Sequence, residues 1–177
     1  MRADARRNRS AITSAALRLA GERGDVVSME EIAREAGVGV GTLYRHFPDR
    51  RALLEDIAVD TLRELLEATR AEVGRTPAWE ALLRVLERCV ALPLALTKSM
   101  VGEDAQRPEL PELEAETKAL IAEIVAVAQR EGDLRADVPP TEVVQVLNVA
   151  VCRCGARLDD HLSRVLLDGL RPSRPDR

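Results

Sequence analysis

The stretch SMEEIAREAGVGVGTLYRHF, residues 28–47, decides the fold of this 177-residue chain. Ser28 and Glu31 form a Ser-x-x-Glu capping box, which predicts that a helix begins at Ser28. Gly37 then predicts the end of that helix, because glycine readily adopts the left-handed conformation found there. A four-residue turn and a second short helix over residues 42–47 follow. Two short helices joined by a tight, glycine-containing turn predict a helix-turn-helix.

Apolar residues at helical spacing predict further helices on both sides of this stretch. The predicted segments are residues 5–23, 28–36, 42–47, 49–73, 78–101, 113–131, 141–157 and 159–170. Asp49 and Thr141 are predicted N-caps, and Pro93 is predicted to kink the helix that contains it. Residues 102–111 are predicted to be a polar connection.

The composition favours helices throughout the chain. Phe, Trp and Tyr occur once each, whereas Ala, Leu, Arg and Glu dominate, and these four residue types favour helix over sheet. We therefore predict an all-α fold with a three-helix head that contains the helix-turn-helix and a larger helical bundle. The predicted boundaries are residues 1–50 for the head, 51–171 for the body and 172–177 for a disordered tail.

Cysteine content and hydropathy indicate the compartment. Three cysteines, an odd number, argue against a disulfide framework. The uncharged stretches are about half as long as the roughly 18 apolar residues that a membrane span needs. The first residues lack the apolar core of a signal peptide. We expect a cytoplasmic protein with no membrane partner.

Charge is distributed unevenly along the chain. Residues 1–51 contain ten arginines and seven acidic residues, a net charge of +3, and the remainder carries −7. A basic head on an acidic body is typical of a protein whose head binds a polyanion. The alternative is chance, since +3 over 51 residues is a modest excess.

The residue types of the helix-turn-helix suit DNA. Gly39 and Gly41 would let the backbone approach the duplex closely. The second helix carries hydroxyl, guanidinium and imidazole donors that can contact bases and phosphates. The cations of the segment after Pro48 lie beside a predicted helix N-terminus, which itself attracts phosphate.

The run from Arg9 to Leu54 closely resembles the N-terminal DNA-binding domain of the TetR family of bacterial transcriptional regulators. The resemblance is carried in order by AALRLAGERG, SMEEIAREAGVGVGTLYRHF and DRRALL. It implies a three-helix DNA-binding head, an all-helical ligand-binding body, and a homodimer formed through the last two helices. The implied partners are a double-stranded DNA operator, a second copy of the chain and a small-molecule effector.

Matching positions in the family imply individual roles. Thr42 and Tyr44 would touch bases and phosphate, and His46 would touch phosphate. Arg50 stands where a phosphate-binding lysine is common, and Phe47 would pack beneath the helix. The predicted DNA-binding residues are Ser28, Gly39, Val40, Gly41, Thr42, Tyr44, Arg45, His46, Arg50 and Arg51.

Two positions depart from the commoner pattern of the family. Val40 stands where many members have a polar or charged residue, and Glu30 where some have a base-contacting one. These departures leave the operator sequence open. Upstream of the motif, the N-terminal arginines form either a mobile arm that reaches phosphates or the minor groove, or a solvated tail: Arg2, Arg6, Arg7 and Arg9.

Polar residues within apolar faces of the body are candidates for orienting a ligand in an apolar cavity. Each of them could instead bond a neighbouring carbonyl or lie at the dimer interface. Gln145 is a further candidate of this kind. The predicted cavity residues are Leu86, Cys89, Val90, Leu94, Thr97, Thr117, Leu120, Leu147 and Asn148.

A thiol or metal enzyme is the third class of function considered. Cys152 and Cys154 lie two apart on a predicted helix, so their thiols would face different sides. His161 follows, but no second Cys/His pair completes four ligands. No P-loop, HExxH or Ser-His-Asp order occurs. We therefore expect no cofactor and no enzymatic activity.

The function predicted from sequence is that of a homodimeric, sequence-specific repressor. A small apolar ligand would release it from a near-palindromic operator. In the dimer, the second helix of each helix-turn-helix would enter the major groove, at two sites roughly 34–36 Å apart. The alternative is a helical ligand-binding or scaffold protein that retains the head without regulating through DNA.

Overall fold

The computed structural model describes residues 2–23, 27–92, 107–153 and 155–172. Within these ranges the chain is helical and contains no strand, which confirms the all-α prediction. The helices are α1 (Arg2–Arg23), α2 (Met29–Glu35), α3 (Val40–His46), α4 (Arg50–Glu72), α5 (Ala78–Ala91), α6 (Glu109–Glu131), α7 (Pro140–Val151) and α8 (His161–Gly169). None of the described helices is long and apolar enough to span a membrane.

The start of α2 is fixed by the predicted capping box. The Ser28 hydroxyl accepts a hydrogen bond of 3.1 Å from the backbone N–H of Glu31, and the Glu31 carboxylate accepts one of 3.0 Å from the backbone N–H of Ser28. Gly37 ends the helix with a positive φ of 67°. The boundaries of α2 therefore agree with the sequence-based prediction.

The head core lies between α1, α2, α3 and the first turns of α4. Each helix contributes one apolar face, and together these faces enclose a single cluster of buried side chains. Its members are Ile12, Ala15, Ala16, Leu19, Val27, Met29, Ile32, Ala33, Leu43, Phe47, Leu53 and Ile57. Two helices as short as α2 and α3 are not stable alone, so this shared core holds them in place.

The helix α4 belongs to both the head and the body. Asp49 caps it as predicted, its carboxylate accepting a hydrogen bond of 2.8 Å from the backbone N–H of Ala52. Leu53 lies in the head core, whereas Leu65, three turns later, lies in the body core. α4 ends at Glu72, one residue before the predicted end, and Val73 is 48% exposed.

The body core is formed by α5, α6 and α7, with α4 and α8 packed around them. Its fully buried side chains include Leu82 on α5, Val125 on α6 and Val143 on α7. Gly132 ends α6 with a φ of 82°, as the sequence predicted. Arg171, after α8, packs on Trp79 of α5, and its guanidinium carbon lies 3.9 Å from the centroid of the Trp79 ring.

The predicted continuation of one helix through Pro93 is wrong. α5 ends at Ala91, and Leu92 adopts an extended conformation with φ −84° and ψ 150°. The proline ring disfavours helical angles in the residue before it, so the helix stops rather than kinks. Residues 93–106 lie outside the described ranges, and with them the predicted cavity residues Leu94 and Thr97.

Prolines also shift the starts of α6 and α7. α6 begins at Glu109, so Pro111 lies in its first turn, where the missing N–H has no helical partner to lose. α7 begins at Pro140 after Pro139, so the prediction of Thr141 as the N-cap is wrong.

The predicted end of α7 near residue 157 is also wrong. α7 ends at Val151, and α8 begins at His161 rather than at residue 159. Its N-cap is Asp160, whose carboxylate accepts a hydrogen bond of 2.8 Å from the backbone N–H of Ser163. That bond lowers the pKa of Asp160 below its ordinary value. The predicted tail lies outside the described ranges from residue 173 onward.

The capping box gives a test of how the head is held together. Ser28→Ala removes the acceptor for the Glu31 N–H, and we expect the free energy of unfolding to fall by about 1 kcal/mol in urea denaturation. Ser14→Ala, on the exposed side of α1, is the matched control, with an expected change within about 0.5 kcal/mol. Equal effects of the two substitutions would contradict the role of Ser28.

Candidate nucleic-acid interface

One face of α3 is exposed and the opposite face is anchored in the head core. Leu43 is fully buried and Phe47, directly after the helix, is 4% exposed. The side of α3 that carries Val40, Gly41, Tyr44 and Arg45 is exposed. These four positions share one face because residues three to four apart are neighbours on a helix.

The structure extends α3 by two residues at its start. We predicted that Val40 and Gly41 lie in the turn, but both lie in the first turn of α3, and Gly39 is the N-cap. The space around Gly41 is open, since a Cβ at this position would meet no heavy atom within 4 Å. The exposed face of α3 is therefore longer than expected and carries no side chain at Gly41, near its start.

The flanks of this face are half-buried. Thr42 and His46 are both of intermediate exposure, and the His46 ring lies 6.3 Å from the Phe47 ring. Nε of Arg45 donates a hydrogen bond of 3.2 Å to the carbonyl of Gly41. This bond aligns the guanidinium along α3 without placing an opposite charge beside it.

A carboxylate lies beside the tyrosine of α3. The Tyr44 hydroxyl donates a hydrogen bond of 3.4 Å to Oε1 of Glu30, on α2. Both side chains are exposed. The exposed surface of the helix-turn-helix therefore spans α2 as well as α3, with Glu30 next to the predicted contact residue.

Two predicted phosphate-binding cations make contacts inside the protein. The Arg50 guanidinium donates to the backbone carbonyl of Val27, which precedes the α2 capping box. Nε of Arg51 donates a hydrogen bond of 3.0 Å to the carboxylate of Glu55, which is 4% exposed. Arg50 therefore connects the start of α4 to the segment before α2, whereas the Arg51 contact lies within α4.

The N-terminal arginines do not form a mobile arm. α1 begins at Arg2, so the whole cluster lies on a helix. Arg7 pairs with Asp4 at 2.5 Å. Arg9 points toward the body, and its guanidinium lies 2.7 Å from Oδ2 of Asp56 on α4. Sequence reasoning missed Asp56, which is 5% exposed although it is charged.

The described cavity candidates come from three helices that pack on one another. Leu86, Cys89 and Leu147 are buried in the body core, and Val90 packs against it at its edge. Leu120 and Asn148 are half-buried, and Asn148 accepts a hydrogen bond of 3.2 Å from the Cys152 thiol.

The polar candidates Thr117 and Gln145 have surroundings that differ from those of Asn148. The Thr117 hydroxyl donates a hydrogen bond of 2.7 Å to the carbonyl of Leu113, so its polarity is satisfied within α6. Gln145 is exposed. Asn148 is therefore the predicted amide that lies next to the body core.

A groove of about 540 Å³ lies between α4 and α5, and none of the described cavity candidates lines it. Its walls carry both charged and small side chains. They are Ala68, Ala71, Glu72, Arg75, Arg84, Val85, Glu87, Arg88 and Ala91. Arg84 pairs with Glu72 across it at 3.2 Å. The groove is thus bordered by charges rather than by the apolar lining expected for the ligand cavity.

Of the described cysteines, Cys89 is buried in the body core and Cys152 packs against it. Burial raises the pKa of the Cys89 thiol to about 12, so this thiol is protonated at neutral pH. Cys152 is the residue after α7 rather than part of a longer helix, and Cys154 lies outside the described ranges. His161 is exposed at the start of α8. Among the described residues, no three His, Cys, Asp or Glu side chains are grouped to hold a metal ion.

Comparison with protein families accounts for both units of the chain. Residues 12–57 match the family described as "Bacterial regulatory proteins, tetR family". Residues 76–172, more than half of the chain, match "Transcriptional regulator SbtR-like, C-terminal domain". The first match covers the helix-turn-helix and its core, and the second covers α5 to α8.

Individual relatives agree with these matches. An HTH-type transcriptional regulator of Staphylococcus aureus (strain USA300) is 50% identical over 54 residues, which is 30% of this chain and 29% of that protein. The match therefore covers less than a third of the length of that relative.

Solved structures are similar over nearly the whole chain. A TetR transcription regulatory protein from Mycobacterium vanbaalenii is 35% identical with a TM-score of 0.67, and the match covers 96% of this chain and 98% of that one. A gamma-butyrolactone receptor, described as ArpA-like, is 27% identical with a TM-score of 0.74, over 96% and 91% of the two chains. Head, body and relatives agree, and the chain belongs to the TetR family of DNA-binding transcriptional regulators.

Proposed function

We propose that this protein is a homodimeric repressor that binds a near-palindromic operator through α3 and is released by a small apolar ligand. The observation that carries the proposal is the exposed face of α3, held rigidly by Leu43 and Phe47 in the head core. A helix that the core already holds in place can enter the major groove without a further loss of conformational entropy.

The exposed face provides the contacts that DNA requires. Tyr44 and Arg45 supply a hydroxyl and a guanidinium for bases or phosphates. The open space at Gly41 lets the backbone of α3 approach the duplex. Thr42 and His46 flank the face at positions suited to phosphate. Arg50 supports the site from behind through its contact with the Val27 carbonyl.

Substitutions on α3 test this interface. Tyr44→Ala and Arg45→Gln should each weaken binding to the DNA upstream of the protein's own gene by about 1–3 kcal/mol. Both side chains are exposed, so the folded state should keep its stability. Fluorescence anisotropy at two salt concentrations measures the affinity, and a scrambled duplex measures the sequence preference.

Arg130→Gln on α6 is the matched control for this measurement. Arg130 is also exposed and the substitution makes the same change in charge, but the residue lies on the body. We expect its affinity to equal that of the wild type. If Arg45→Gln and Arg130→Gln bind alike, α3 does not contact the operator. If the wild type binds both duplexes equally, the scaffold alternative is favoured.

We further propose that the last two helices form the homodimer. Among the described residues, the exposed large apolar side chains on these helices are Val149 on α7 and Leu162 and Val165 on α8, with exposed fractions of 59%, 43% and 69%. α7 and α8 pack against each other, so these residues lie on neighbouring helices. Apolar side chains grouped in this way mark an interaction site.

Val165→Glu tests the dimer. A carboxylate buried in an apolar interface is strongly unfavourable, so we expect a monomer in analytical ultracentrifugation. Affinity for the two-half-site operator should fall about 100-fold, because the two heads then bind independently. Val73→Glu makes the same change at an exposed valine on α4's end and should leave the dimer intact. A dimeric Val165→Glu variant would contradict this interface.

We propose that the effector binds among α5, α6 and α7, near the half-buried Asn148. The surroundings are apolar, and one amide next to the core can orient a polar ligand group. The structurally similar protein is described as a gamma-butyrolactone receptor, which suggests γ-butyrolactones as the ligand class. Such a molecule matches an apolar region with a single amide.

A series of γ-butyrolactones with increasing alkyl length tests this site. Each added methylene should raise the affinity about fourfold, since burying it gains about 0.8 kcal/mol. The measurements are release of labelled upstream DNA and the increase in melting temperature. Asn148→Leu should weaken the response, whereas Gln145→Leu, exposed on the same helix, should not. A response independent of chain length would contradict an apolar site.

A further inference from the structure

Six charged side chains form a closed ring of alternating sign where the head meets the body. They come from α1, α4 and the start of α6, and we call them the charge ring. In order around the ring they are Arg9, Asp56, Arg107, Glu109, Arg63 and Asp60. The successive nitrogen-to-oxygen distances are 2.7, 2.5, 3.6, 3.2, 3.8 and 3.1 Å.

Asp56 is the buried centre of the charge ring. Its side chain is 7% exposed, and each of its two oxygens accepts from a different arginine. Arg9 binds Oδ2 and Arg107 binds Oδ1. The hydrogen bond to Asp56 also raises the pKa of Arg9. A buried carboxylate needs both partners, since removing one leaves a poorly compensated charge.

The other half of the charge ring contributes differently. Arg63, Asp60 and Glu109 have side chains that are 50%, 48% and 44% exposed. Exposed ion pairs of this kind add little to stability and are screened by salt. The structural constraint therefore lies in the Arg9–Asp56–Arg107 part.

The three residues of this part come from separate structural units. Arg9 lies on α1, whose next turn places Ile12 in the head core. Arg107 lies two residues before the start of α6, the helix that packs most extensively on α4. Asp56 lies on α4, next to Ile57 of the head core. One carboxylate thus connects the head to the segment that leads into the body helix α6.

We propose that Arg9 and Arg107 are positioning residues that, through Asp56, fix the orientation of the head on the body. In the dimer this orientation sets the separation of operator half-sites that both heads can reach. The inference rests on the proposed operator binding and adds to it a pair of residues that touch no DNA.

The competing explanation is that Arg9 binds a phosphate directly. The two roles differ in their salt dependence. Losing a phosphate contact lowers the slope of log affinity against log salt by about 1. Losing a positioning residue changes the affinity without changing that slope, because the number of phosphate contacts stays the same. A positioning role also predicts that Arg107, on the body, behaves like Arg9.

The test compares Arg9→Gln, Arg107→Gln and the double variant on a series of upstream-DNA duplexes. The half-site separation in these duplexes is changed by one or two base pairs. Arg70→Gln is the matched control, since Arg70 also joins α4 to the helix α6 by pairing with Glu116 but does not reach the head. Thermal unfolding confirms that each variant is folded.

We expect both single variants to bind the best duplex about tenfold more weakly and to discriminate less among the separations. Their salt slopes should equal that of the wild type. The double variant should be no weaker than either single one, because the two substitutions break one connection. Arg70→Gln should match the wild type in all three respects.

Two results would overturn the proposal. Variants that keep the wild-type preference for one separation would show that the charge ring does not position the head. A lower salt slope in Arg9→Gln alone would show a direct phosphate contact. Failure of the proposed function is distinguishable from both, because the wild type itself would then not prefer its upstream duplex.

A measurement without DNA keeps the inference testable in that case. Unnatural amino acids that carry spin labels can replace Ser14 on α1 and Glu123 on α6, because both positions are exposed. The two labels report the distance between head and body. We expect one narrow distance distribution in the wild type and Arg70→Gln, and a broader one in Arg9→Gln and Arg107→Gln. Equally narrow distributions would contradict the positioning role.

Discussion

The continuity of α4 is the constraint on which the rest of the structure depends. Leu53 and Ile57 complete the core that holds α3, and Leu65 of the same helix is packed against α5 and its neighbours. A helix resists bending because its hydrogen bonds run along its whole length. Any rearrangement in the body that moves α4 is therefore transmitted to the helix-turn-helix, and Asp49, which caps α4, fixes where that rigid element begins.

Local signals in the sequence predicted the head well and the body less well. Ser28, Glu31 and Gly37 fix α2 by interactions within a few residues, so their effect could be predicted without knowing the fold. Several of the errors in the body lie at prolines. Pro93 was expected to kink a helix that instead ends before it, and Pro140 rather than Thr141 begins α7. Proline is compatible with a kink, a stop or a start, and neighbouring packing decides among them.

The candidate DNA site likewise combines features that the sequence predicts with contacts that it does not. The exposed face of α3 follows from the burial of Leu43 and Phe47, and the family resemblance implied the packing of Phe47. The contacts of Arg50 with Val27 and of Arg9 with Asp56 could not be predicted, because the partners are 23 and 47 residues apart in sequence. Only the tertiary structure decides whether such a cation contacts DNA, a carbonyl or a buried carboxylate.

These internal contacts change how the charge of the head should be interpreted. The excess of +3 includes Arg9, which pairs with Asp56, an acid outside residues 1–51, whereas the pair of Arg18 with Glu35 at 2.5 Å is already balanced within that count. An arginine that pairs with a carboxylate contributes little to the field that attracts phosphate. Arg45 differs, because its hydrogen-bond partner is the neutral carbonyl of Gly41. Among the described residues, no paired carboxylate therefore offsets the charge of Arg45 in the proposed contact with DNA, and the accuracy with which α3 is positioned matters for that contact.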